Sequence, residues 1–92
     1  MIEPMPTILQ ILGWRLFFYA NEGDEPIHVH ARKASAECRF GLNAVLFDIE
    51  EQWSHGLTLR QRREIRKIIF DHFELILDEW NRFFGMENDA EN

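Results

Sequence analysis

Two different periodicities divide the chain. From Ile27 to Lys33 apolar and polar residues alternate, with Ile27, Val29 and Ala31 on one side and His28, His30 and Arg32 on the other. Ala36 to Phe40 alternates as well, placing Ala36, Cys38 and Phe40 against Glu37 and Arg39. A period of two marks a half-buried strand, so the two runs predict a hairpin around Ala34-Ser35. Pairing Lys33 with Ala36 sets Arg32 opposite Glu37, Ala31 opposite Cys38 and His30 opposite Arg39. All apolar residues then share one face. The weak point is the turn, because Ala-Ser is a poor two-residue hairpin loop. Upstream, Gly13–Ala20 holds Trp14, Leu16, Phe17, Phe18 and Tyr19 and predicts a first strand; its start can reach back to Ile8, with Gly13 as a bulge or bend. Asn21-Glu22-Gly23-Asp24-Glu25-Pro26 closes that strand with turn chemistry.

Beyond residue 58 the period changes to that of a helix. Thr58 followed by Gln61 is a capping-box pattern. Ile65, Ile69, Phe73, Ile76, Trp80 and Phe83 then recur every three or four residues, and Phe70, Leu77 and Phe84 widen the stripe. Gly85 is a natural stop. One unbroken helix would be roughly 39 Å long, so a break is expected near Phe70–Phe73. Residues 43–57 show little pattern and read as a connection carrying Trp53 and His55. Residues 86–92 read as a frayed acidic tail. The expected fold is α+β in two layers: a three-stranded antiparallel sheet packed on one face by a C-terminal helix or kinked helix pair. The whole chain, 1–92, is read as a single domain, with a sheet part over 5–42 and a helical part over 58–85.

Composition narrows the class. Cys38 is the only cysteine among 92 residues, which excludes an intrachain disulfide framework and a cysteine-rich zinc site. Its place on the apolar side of the hairpin reads as a buried small hydrophobe. No apolar run approaches the roughly 20 residues of a membrane-spanning helix. No basic residue precedes the first apolar stretch, so no secretory signal is expected and the cytoplasm is the default location. The net charge of −6 argues against a generic polyanion binder. The distribution qualifies the total: five bases and one acid lie between Arg60 and Lys67, and seven acids and one base between Asp71 and Asn92. Bases early and acids late oppose the helix dipole. That order fits two helices or solvated faces, or a basic stretch that meets an acidic partner or nucleic acid.

The polar face of the sheet gathers Arg15, Phe17 and Tyr19 from the first strand, His28, His30 and Arg32 from the second, and Glu37 and Arg39 from the third. Phe17 is out of place on a merely solvated face. His28 and His30 point the same way about 6.6 Å apart at Cα, so both imidazoles can reach one ligand. A zinc ion needs further ligands, and Glu22, Asp24, Glu37, His55 and His72 are available without diagnostic spacing. Arg32 and Arg39 disfavour a cation, which ranks zinc below a phosphate-binding or acid–base role for the histidines. The plainest reading is two partly exposed strand histidines bonding locally. Gly-rich phosphate loops, nucleophile elbows and Cys-x-x-Cys pairs are absent, so no cofactor is expected.

Three stretches carry a family resemblance: Met5-Pro6-Thr7-Ile8, Gly13-Trp14-Arg15-Leu16-Phe17-Phe18-Tyr19, and Asn21-Glu22-Gly23-x-Glu25-Pro26-x-His28-Val29-His30. The chain resembles the small bacterial domain of unknown function 4160, whose ending is also similar to Trp80-Asn81-x-Phe83-Phe84-Gly85. Here Ile27 stands where the family often has proline, and Ala34-Ser35 where glycine is common. The resemblance implies a gene that lies beside another small gene in a toxin–antitoxin-like or regulatory pair, and supplies no catalytic residue. The leading expectation is therefore a protein-binding module that engages another small protein or itself. The alternatives are a small ribonuclease or phosphodiesterase, with His28 and His30 as acid and base and Arg15, Arg32 or Arg39 on the phosphate, or a nucleic-acid-binding sheet face that stacks bases on Phe17 and Tyr19.

Overall fold

The protein is described by a computed structural model over residues 7–85. Five antiparallel strands follow one another in sequence order as a meander: β1 (Leu9–Ile11), β2 (Trp14–Phe17), β3 (His28–Lys33), β4 (Ala36–Asn43) and β5 (Asp48–His55). Two helices follow, α1 (Leu59–Asp71) and α2 (Phe73–Trp80), and then a π-helical turn over Asn81–Gly85. The α+β class and the helix pair on an antiparallel sheet stand as expected, but the sheet has five strands rather than three.

Both additional strands come from segments read differently in the sequence. The apolar run from Ile8 to Ala20 is not one strand with a bulge at Gly13. It folds back at Leu12-Gly13, where both residues are left-handed (φ 54° and 85°), and β1 pairs with β2 through Leu9 and Leu16. Two consecutive positive φ values are the demand of the tight hairpin turn, and glycine meets one of them without strain. Residues 43–57 are not a patternless connection either, because β5 occupies most of them and carries Trp53 and His55. As an outer strand it places only Ile49 in the core, and a bulge between Arg39 and Phe40 breaks the alternation across from it.

The central hairpin has the predicted register, with Arg32↔Glu37, Ala31↔Cys38 and His30↔Arg39. Its weak turn is closed by Ala34 in the left-handed region at φ 53°. The helical stripe packs on Leu16, Phe18, Val29, Ala31, Cys38 and Phe40, all fully buried. Thr58 and Gln61 cap α1 reciprocally. The break falls at His72, whose Nδ1 lies 2.8 Å from the Ile68 carbonyl oxygen and whose backbone leaves helical geometry (φ −119°, ψ 25°). No glycine or proline is needed there. Surface pairs tie helix to sheet: Glu64 accepts from the Trp14 indole at 2.8 Å and from Lys33 at 3.0 Å, and Arg62 grips Glu51 at 2.7 and 3.1 Å. The expected acidic tail 86–92, and Met5-Pro6 with the residues before them, lie outside the described residues.

Candidate functional site

The turn block Asn21–Pro26 carries Glu22 across the open face of the sheet. Tyr19 and Glu22 lock that turn together. The Glu22 amide donates to the Tyr19 carbonyl at 3.2 Å, and the Tyr19 amide donates to Glu22 Oε1 at 3.1 Å. The same carboxylate meets both histidines of β3. His30 Nε2 lies 2.8 Å from Oε2 and His28 Nε2 lies 2.9 Å from Oε1. Among the described residues this is the one group of three or more potential metal ligands, with all three ligand atoms within 4.8 Å of one another.

The cluster is almost dry. His28 is 0% exposed, His30 3% and Glu22 7%. The expectation of partly exposed strand histidines is therefore corrected: the turn block and neighbouring rings enclose them. Phe17 stacks on His30 at 5.4 Å, Tyr19 meets it edge-on at 4.8 Å, and Trp80 of α2 closes on His28 at 5.2 Å. Phe84 presses on the turn itself, since a Cβ at Gly23 would fall 2.7 Å from its ring. The site is thus bounded by the sheet, the turn and the C-terminal helix.

Burial works to raise the Glu22 pKa, but the bonds from His30 and the Tyr19 amide, with His28 close by, outweigh it and hold the carboxyl below its usual range. Burial pulls the His30 imidazole down, against the raising effect of Glu22, so the neutral form is favoured. His28 is oriented by its other nitrogen, with Nδ1 2.9 Å from the Pro26 carbonyl oxygen. A carbonyl can only accept, so Nδ1 carries a proton. His28 Nε2 and His30 Nδ1 are buried and have no hydrogen-bond partner; the approach of His28 to Oε1 is close but oblique.

The other residues singled out from the sequence are distributed unevenly around this cluster. Arg39 comes nearest, 3.8 Å from Glu22, but its charge is taken up by Glu25 at 2.7 Å and its Nε–H by Gln52. Phe17 does not stand out from the face as a stacking platform. It is fully buried beneath the guanidinium groups of Arg15 (4.9 Å) and Arg32 (5.6 Å). Arg15 itself donates to Thr7. Arg32 and Glu37 pair at 3.4 Å on the solvent side. Of the proposed third ligands only Glu22 joins the histidines; Asp24 is exposed, His55 sits on β5 opposite Glu37, and His72 binds its own helix. Sequence spacing could not single out Glu22, because nothing local says that a turn residue folds back onto the strand after it. Cys38 is buried as expected, and burial pushes its thiol up to about 12, which leaves it inert.

A five-stranded meander carrying a helix pair, with a carboxylate–imidazole cluster enclosed by the sheet, the turn and the end of α2, defines a small α+β domain with a built polar interior. A family model described as a domain of unknown function (DUF4160) matches residues 13–81. The chain belongs to that family. The matched span contains the whole cluster and both helices. No functionally curated protein and no solved structure matches the chain.

Proposed function

We propose that the protein is a protein-binding module whose docking element is the tip of the β4–β5 hairpin. The observation that carries this is the exposure of three consecutive apolar residues: Val45 at 92%, Leu46 at 70% and Phe47 at 54%. Contiguous apolar side chains in water mark contact sites. These are held ready rather than left loose. The Asn43 side chain accepts from the amides of Val45 and Leu46, both at 3.0 Å, and the Phe47 ring rests on Phe73 at 4.6 Å. The adjoining groove is lined by Ile27, Leu42, Ile49, Asp48 and Glu50, with no basic residue along it. An apolar tip beside an acidic groove fits an amphipathic basic segment of another protein, and two copies meeting tip to tip would set acids against acids.

The ribonuclease reading has less support, because His28 and His30 present almost no surface to a substrate and Arg39 is already paired. Base stacking has less support because Phe17 is covered. The test is co-expression with the product of the adjacent gene, followed by light scattering on the purified mixture. A stable heteromeric complex that Val45→Asp with Leu46→Asp dissociates is the expected result. A monomer that ignores its neighbour, or a homo-oligomer that the double variant leaves intact, would overturn the reading.

A further inference from the structure

We infer that Glu22, His28 and His30 form a binding site for a late first-row divalent cation, of which zinc is the representative. The inference stands independently of the docking tip.

The donor set is the first reason. Two imidazole nitrogens and one carboxylate converge from two elements, and imidazole with carboxylate suits zinc and its neighbours rather than magnesium or calcium, which take oxygen ligands. The orientation of His28 is the second. Its Nδ1–H is given to the Pro26 carbonyl, the outer partner that a ligating histidine ordinarily keeps, and this leaves the Nε2 lone pair aimed at the cluster. That lone pair is fully buried, without a hydrogen-bond partner, and 2.9 Å from a carboxylate oxygen that is also an acceptor. Two acceptors this close repel unless something positive lies between them. A cation bound by both, and by His30 Nε2 in place of its present bond to Glu22, removes the conflict.

Local charge permits it. Of the two arginines expected to disfavour a cation, Arg32 pairs with Glu37 at 3.4 Å and Arg39 is drawn chiefly to Glu25 at 2.7 Å, so its 3.8 Å contact compensates Glu22 only in part. Zinc bonds of about 2.0–2.2 Å place the ligand atoms of a tetrahedral ion about 3.3–3.6 Å apart, so the carboxylate–imidazole separations of 2.8 and 2.9 Å must widen by about half an ångström, within a cluster whose ligand atoms already lie within 4.8 Å of one another. Glu22 sits on a turn, where such an adjustment is small. Three protein ligands leave one position of a tetrahedral ion for water or another small donor.

The experiment uses the full chain without a histidine tag, stripped with chelator and titrated with zinc by calorimetry, with metal content read by elemental analysis. One equivalent should bind, magnesium should not compete, and the melting temperature should rise with free zinc. Glu22→Gln and His28→Gln should each weaken binding at least tenfold, whereas His55→Ala should not change it. If a variant fails to fold, nitrogen NMR of the wild-type imidazoles still decides, since zinc must move the Nε2 resonances of His28 and His30. Absence of stoichiometric zinc binding, undiminished affinity in folded Glu22→Gln, or unmoved imidazole resonances would each overturn the assignment.

Discussion

At the His28 end of β3 the protein buries a carboxylate and two imidazoles, while at the tip of the β4–β5 hairpin it leaves Val45, Leu46 and Phe47 in water. The two regions invert the ordinary partition in opposite directions, and at very different cost. Buried polar groups need partners from within, and the cluster finds them in Tyr19, Pro26 and Arg39 for all but two of its nitrogens, His28 Nε2 and His30 Nδ1. Exposed apolar groups forgo burial without stranding a polar atom; the backbone cost at the tip is one left-handed residue, Phe47 at φ 54°, and a single asparagine side chain orders the turn. The cluster is therefore built into stability. The tip is nearly free of it.

Glu22→Ala separates the two most sharply. It removes the acceptor of His30 and of the Tyr19 amide and takes away the anchor of the turn over the sheet. Stranding buried donors and loosening that turn should cost about 2–4 kcal/mol in urea unfolding, a large share of the roughly 5–10 kcal/mol expected for so small a domain. A loss below about 0.5 kcal/mol, the level of an ordinary surface substitution, would show that the cluster contributes nothing beyond occupying space.

The same contrast explains what could be read from the chain. The β3–β4 register was legible because one residue of slip would have moved Val29, Ala31 and Cys38 from core to solvent. The helical stripe and its break were legible too, although the break needed only His72 bonding back to Ile68. β5 was not, because an edge strand with one core residue leaves almost no apolar pattern. The β1–β2 hairpin was hidden for the opposite reason: Ile8–Tyr19 is apolar nearly throughout, and Leu12-Gly13 is a weak turn signal. Within the site, the parallel aim of His28 and His30 followed from strand geometry. Their burial and their union with Glu22 depended on the path of the turn, which no spacing encodes.

Within the tip itself a smaller effect is expected, and a graded one. Phe47 touches Phe70 and Phe73, so Phe47→Ala should lower stability by about 1 kcal/mol through lost packing. Val45 is nearly free in solvent, and Val45→Asp should stay within about 0.5 kcal/mol of wild type. Thermal or urea unfolding of both variants checks the gradient. Equal losses at the two positions would mean that the loop is a packed part of the domain and not a separable docking element.

The smallest effect belongs to a carboxylate that lies between these extremes. Glu51 on β5 is held below its ordinary value of 4.5, first by its hydrogen bond from Arg62 and against burial, the next-largest influence, which pulls the other way. The folded pKa is depressed relative to the unfolded chain, so the ionised carboxylate and its partners, Arg62 foremost, stabilise the protein fully above that ordinary value and lose their contribution as pH falls through the folded one. Arg62→Gln should therefore lower stability slightly at neutral pH, with the two proteins converging in acid. Both side chains are substantially wetted, so added salt should shrink the neutral difference. Urea midpoints measured across pH at low and high salt read this directly. A difference that persisted in acid, or that salt left untouched, would mean that Arg62 acts through packing on the sheet rather than through its charge.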